Sequence, residues 1–403
     1  MSRGTNWRTP AVVLFCGGLI LMLALGTRQS FGLFLRPMTI DLGCGREVFS
    51  FAIALQNLVW GLGMPVAGAI ADRYGAGRVL TVGGLAYGLG LLAMAHSTTP
   101  LELDATAGLL IGLGLACTGF GVVLSVVARA FPPGQRSFAV GITGACGSIG
   151  QFVMLPGGQA LISGFGWVNA LITLGALAFL IIPLGAALAG RNAAAQESEQ
   201  SIGEALAEAM AHRGFWLLTA SFFVCGFQTI FVMTHLPAYA VDRGLTSTQG
   251  MTALATIGFF NIIGSTAAGA LGGRYSKKWI LFWLYVARAL AIAVYLATPL
   301  SATGTYLFAA VLGLTWLATV PLTNSLVGQI FGVKFLSTLF SLAFLGHQLG
   351  AFIGAWAGGA IFDATGSYQL VWLASIALSV VAAALCVPID ERTLPRPVVQ
   401  AAA

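Results

Sequence analysis

Apolar stretches of about twenty residues recur along the whole chain, parted by short segments that carry nearly all of its charge. A helix of about 20 residues crosses a hydrocarbon core of about 30 Å. The stretches run on without the two-residue alternation of a strand, and lipid admits only helices or closed barrels. The pattern therefore predicts an all-α membrane protein. Twelve transmembrane helices are expected, at 11–35, 50–71, 78–96, 101–130, 135–164, 167–189, 213–240, 247–272, 278–298, 303–330, 334–362 and 368–388. The first stretch contains Arg28 and is followed by many more, so it reads as a span and not as a cleaved leader. The one long polar interruption, 191–213, holds Glu197, Glu199, Glu204 and Glu208. It predicts a six-helix half at 1–190, a linker at 191–212 with a short surface helix over 202–210, and a second six-helix half at 213–403.

The sequence repeats itself across that linker. A shift of 201 residues lays Asp41-Leu42-Gly43 on Asp242-Arg243-Gly244, Gly63 on Gly264, Gly68 on Gly269, Arg73-Tyr74 on Arg274-Tyr275 and Gly112 on Gly313. A shift of 202 lays Gly144, Gly157 and Gly164 on Gly346, Gly359 and Gly366. Single glycine matches mean little, but a constant offset over a long stretch predicts two parallel halves with a site between them.

Charge fixes the expected orientation. Fourteen Lys and Arg fall in the segments on the side of the termini and three, Arg36, Arg46 and Arg243, on the other. That split places both termini in the cytoplasm, in a bacterial inner membrane. The excess charge then faces anionic lipid, which accounts for the net +6 without nucleic acid. The six cysteines show no paired spacing, so no disulfide, metal or cofactor is expected, and no phosphate loop or hydrolase triad can be assembled. These absences argue against an enzyme.

Two arginines lie deep within apolar stretches, Arg28 and Arg288, while all 13 Asp and Glu fall in loops, helix ends or tails. A charge at membrane depth is costly, which makes it a candidate functional group. Positive charge without an acid nearby points to a path for an anion.

The segment Gly68-Ala69-Ile70-Ala71-Asp72-Arg73-Tyr74-Gly75-Ala76-Gly77-Arg78 resembles the signature loop of the major facilitator superfamily. Its second copy keeps Arg274 but has Gly273 in the acid's place. Within the superfamily the chain resembles the monocarboxylate transporters and the related oxalate:formate antiporters. The resemblance rests on Thr27-Arg28-Gln29-Ser30-Phe31-Gly32-Leu33-Phe34, on Arg129-Ala130-Phe131-Pro132 followed by Arg136 and Gly141, and on Gly358-Gly359-Ala360-Ile361-Phe362-Asp363. It implies gating by Gly68, Asp72, Arg73, Gly75, Arg78 and Arg274, an anion at Arg28, and an aromatic cover at Trp316. One departure stands out. The family often has an acid or amide in helix eight and an arginine one turn later, where this chain has Asn261 and Ser265.

Other polar residues in the spans complete the expected substrate site. His235 and His347 are the titratable candidates, with Gln348 beside the latter and Gln228 seven residues before the former. Thr315, Thr319 and Thr323 form a helical stripe beside Trp316 and Asn324. Gln56, Asn57 and Gln151 are further candidates. Arg288, on a peripheral span, is expected to cap backbone carbonyls. The function expected is alternating-access transport of a small organic anion, a monocarboxylate, by a monomer coupled to protons. The rival readings are anion antiport, export of amphipathic drugs, and a transporter-like sensor.

Overall fold

The computed structural model describes residues 8–132, 136–189, 201–332 and 335–394. They are helical almost throughout, and eleven helical runs are long and apolar enough to cross a membrane. One run, Ala139–Ala187, has 49 residues and turns at Gly166, where φ is +79°. At 1.5 Å per residue it extends about 73 Å, enough for two crossings. It contains spans five and six, so the expected twelve are present.

Span one is longer than its apolar pattern. It runs Pro10–Gln29, breaks at Ser30 and Phe31, and resumes as Gly32–Asp41. Spans two and three are Arg46–Tyr74 and Ala76–Met94, and span four is Pro100–Ala130. The second half comprises Arg213–Asp242, Ser247–Gly272, Lys277–Ala297, the pair Ala302–Thr315 and Thr319–Phe331, Leu336–Thr365 and Gln369–Cys386. Most of the expected linker lies outside the described residues. Its helix, Ile202–Ala211, begins with Ser201 and Glu204 capping each other's backbone amides. The same reciprocal cap, Thr246 with Gln249, starts span eight.

Helix packing repeats across the halves. Span one packs on five as seven packs on eleven, two on four as eight on ten, and three on six as nine on twelve. Left-handed turns repeat as well, at Gly43 (φ +60°) and Gly244 (φ +95°), 201 positions apart. The partner of Gly366 (φ +69°) is Gly166, not the Gly164 that the sequence shift selects. Conformation marks the turn where glycine abundance blurs the alignment.

The halves meet where span two packs on eleven and span five on eight. We call the face with loops 75 and 273–276 the basic face and the opposite one the far face. Contact between spans two and eleven begins at the far face, where a Cβ on Gly359 would lie 2.6 Å from the Ser50 hydroxyl. It continues through Phe51–Phe352 to Trp60–Phe344, ring centroids 5.6 Å apart. Beyond Trp60, Leu62 and Val66 are more than half exposed. Among the described residues the hydrogen bonds and ring contacts between the halves lie from the level of Trp60 and Ser148 to the far face, so the molecule is closed there and open toward the basic face.

Candidate functional site

Arg28 ends the first segment of span one and is 3% exposed. Its guanidinium donates to Asn57 Oδ1 of span two, approaches Met233 Sδ of span seven at 3.9 Å, and lies 4.8 Å from the centre of the Trp60 ring. Nε has no protein partner. These partners are an amide oxygen, a thioether and an indole face, and none carries negative charge. They come from both halves, so Arg28 sits on the seam. Charged, buried and with a donor to spare, it offers hydrogen bonds to an anion.

Asn57 connects Arg28 to span eleven. Its side-chain amide donates to Ile53 O at 2.7 Å, and its backbone carbonyl accepts from Gln348 Nε2 at 3.2 Å. Gln348 Oε1 lies 3.0 Å from His347 Nδ1. The His347 ring stacks on Phe344, which meets Trp60 in turn, while Nε2 has no protein partner. Arg28, Asn57, Trp60, His347 and Gln348 thus form one connected patch across spans one, two and eleven.

Asn261 and Ser265 lie at the other seam. Asn261 donates to Ser148 Oγ of span five and accepts from Ser265 Oγ, both at 3.0 Å. Its Oδ1 also accepts from the backbone N–H of Leu317, at the break in span ten. The amide in the family's acid position therefore binds backbone freed by a broken helix.

That break corrects the threonine stripe. Thr315 ends one helix and Thr319 starts the next, so the two do not share a continuous face. Arg288 fills the gap: its Nη2 donates to the carbonyls of Thr315 and Trp316, and Nη1 donates to Gln228 Oε1 at 3.3 Å. Trp316 is 2% exposed and Thr319 lies 3.1 Å from Cys225 Sγ, both facing the interior of the second half. Asn324 is half-buried on the inner segment of span ten, and none of these hydrogen bonds reaches it.

His235 lies in the far-face closure, apart from the Arg28 patch. Nε2 donates to the Ala355 carbonyl at 2.9 Å, and Nδ1 is 3.1 Å from the Tyr368 hydroxyl. Tyr368 accepts from Arg46 Nη1 at 2.8 Å, and Arg46 also holds both oxygens of Asp242, at 2.5 and 2.8 Å. Arg36 stands 3.8 Å from the same carboxylate. Arg46 belongs to the first half and its partners to the second, so this network ties the halves together. Sequence reading missed it, although a signal was present: the three basic residues on the far face share it with Asp41, Asp242 and Asp363.

The signature-loop residues lie on the basic face. Gly75 takes φ +95° between spans two and three. Arg73, stacked on Tyr74, is exposed, as are Arg78 and Arg274. The side chain of Asp72 lies outside the described part. Gly68 faces open space.

The model of the Major Facilitator Superfamily matches residues 14–332 and 247–402. The chain belongs to this superfamily. It is similar to the MFS-type transporters YhjX of Escherichia coli (26% identical, 86% of this chain and 87% of that one) and YcxA of Bacillus subtilis (24%, 85% and 86%). Monocarboxylate transporter 13 of Bos taurus is 24% identical over 91% of this chain and 84% of its own. A solved bacterial homolog of the human lysosomal transporter Spinster, in an inward-facing and unoccupied conformation, superposes with a TM-score of 0.76 at 17% identity. It covers 95% of this chain and 97% of that one, which shows the fold. The protein is a membrane transporter of the major facilitator superfamily, with monocarboxylate transporters among its relatives.

Proposed function

We propose that this transporter carries a small organic anion, a monocarboxylate, across a bacterial inner membrane by alternating access. The observation that carries the reading is Arg28: a buried cation on the seam between the halves, with no negative partner and an unused donor. A carboxylate there would gain charge-assisted hydrogen bonds and neutralise the charge before the seam closes. Similarity to monocarboxylate transporters supports the same ligand class. The basic face is assigned to the cytoplasm, which makes the structure inward-open.

Proton symport is the proposed coupling. An anion entering alone moves against a negative interior at about 2.3 kcal/mol per 100 mV, and a proton moving with it cancels that cost. His235 is the proposed titrating group. Its neutral ring satisfies both neighbours, donating to Ala355 O and accepting from Tyr368. A second ring proton would meet a hydroxyl already accepting from Arg46, a cation.

The test is uptake into proteoliposomes, preceded by a thermal-shift screen of carboxylates of graded size. Uptake of the best binder driven by an inward proton gradient is the expected result. Uptake driven only by internal anion would mean exchange. Absence of binding by any carboxylate would refute the substrate class.

A further inference from the structure

Two donors on the Arg28 patch have no partner among the described residues. One is Arg28 Nε, and the other is the indole Nε1 of Trp60, a residue that is 4% exposed. We propose that Trp60 Nε1 is the second donor to the substrate's carboxylate, which it shares with Arg28. This rests on the reading of Arg28 above and adds the residue that fixes how the anion lies.

Packing accounts for the ring of Trp60 but not for its N–H. The Arg28 guanidinium lies over the ring, 4.8 Å from its centre, and the Phe344 ring meets it edge to face at 5.6 Å. A phenylalanine would offer the same negative face to the cation and a similar apolar surface to Phe344. Only tryptophan adds an N–H, and a buried donor without an acceptor is destabilising. The backbone beside it does not supply one. Span four breaks at Gly119, between Ile111–Thr118 and Phe120–Ala130. A Cβ on Gly119 would lie 3.1 Å from Nε1, so the indole N–H adjoins a residue that has no side chain to cover it. The carbonyl at this break, that of Leu115, already accepts from the Gly119 N–H at 2.8 Å.

The two free donors suit one carboxylate. Nε1 is on the rim of the ring that the guanidinium covers, so a ligand held by one donor is within reach of the other. The rim of an aromatic ring is its electropositive part, as the face is its negative one. The cation takes the face, and the rim is left for an anion. A carboxylate brings two oxygens to two donors, and hydrogen bonds to a charged acceptor are the strong ones. The other tryptophans near the spans' centres are placed differently. Trp316 faces the interior of the second half. Trp372 also has an unpaired N–H, but it is ringed by Phe231, Tyr239 and Phe308. It serves as an internal reference.

The test is nuclear magnetic resonance of the full-length protein with isotope-labelled indole nitrogens, titrated with acetate, propionate, lactate and benzoate. Trp60→Phe and Trp372→Phe identify the two signals among the nine tryptophans. On binding, the Trp60 indole proton should move downfield as it gains a charged acceptor, while that of Trp372 stays. Calorimetry with the tightest of these acids should show affinity about ten-fold lower in Trp60→Phe, the loss of one hydrogen bond to a charged group. An unmoved Trp60 resonance in the saturated parent protein overturns the proposal, as does parental affinity in Trp60→Phe. If Arg28→Gln loses affinity while Trp60→Phe keeps it, the substrate reading stands and Trp60 leaves the site. If none of these acids binds the parent protein, the substrate reading falls and takes this proposal with it.

Discussion

The carboxylate of Asp363, at the end of span eleven, accepts the backbone N–H groups of Arg46 at 3.0 Å and Glu47 at 2.7 Å, at the start of span two. Those amides have no partner within their own helix. The residue before them is Gly45, which has no side chain to cap them, so the cap comes from the other half of the molecule. A Cβ on Gly45 would lie 2.3 Å from Asp363 Oδ2, so the glycine also makes room for its substitute. The cap exists only while the far face is closed.

Asp363→Ala should therefore favour opening of the far face. Losing an N-cap costs about 1 kcal/mol, roughly a five-fold shift between the two states. Electron-spin distances between labels at positions 40 and 365 should lengthen. An unchanged distribution would show that the cap contributes nothing to closure.

Gly32 should act in the same direction by a different cause. A Cβ there would lie 2.1 Å from the Met233 carbonyl, across the seam. The obstacle is backbone, so the helices must part. Gly32→Ala should lengthen the same spin distances while leaving packing within each half intact. If distances stay the same and thermal stability falls instead, the contact is serving the fold and not the gate.

Arg28→Gln should cut substrate affinity by about ten- to hundred-fold, the loss of a charged hydrogen bond of about 1.5–3 kcal/mol. Arg28→Lys keeps the charge but loses the planar fork, and should fall between the two. Calorimetric titration of the purified variants gives the answer. Parental affinity in Arg28→Gln would remove this residue from the site.

Arg288→Gln should behave oppositely. Its loss leaves the Thr315 carbonyl without its donor and the Trp316 carbonyl with only the Cys225 thiol, and a buried orphan costs about 1–3 kcal/mol. The melting temperature should drop clearly, while the folded fraction binds substrate like the parent. Loss of binding without loss of stability would show that it acts on substrate.

The spans, the repeat and the two interior arginines were legible because each leaves a local mark: an apolar run, a constant offset, a charge out of place. The partners were harder to read. Asn57 was a candidate, but nothing marked it as the residue that holds Arg28. Trp60 and Met233 look like any apolar position. His235 has the chemistry of a site residue, and only packing shows that its ring bridges Tyr368 and Ala355. Thr315 and Thr319 failed as a stripe because the helix breaks at 316–318, and the mark was there: Pro321 has no N–H for the Leu317 carbonyl, four residues before it. Asp363 reaches across more than 300 positions to Arg46, a distance at which no periodicity operates.

The break in span one has a consequence for its charge. The first helical segment ends at Gln29, with Arg28 in its last turn. The Ser30 and Phe31 N–H groups turn back to the Thr27 and Arg28 carbonyls, and the next helix starts at Gly32, so the positive end of one segment offsets the negative end of the other. The backbone therefore leaves the guanidinium its full charge. An amide, a thioether and an indole leave that charge for an anion to claim, whereas a fixed carboxylate at the same turn would have competed with the cargo for it.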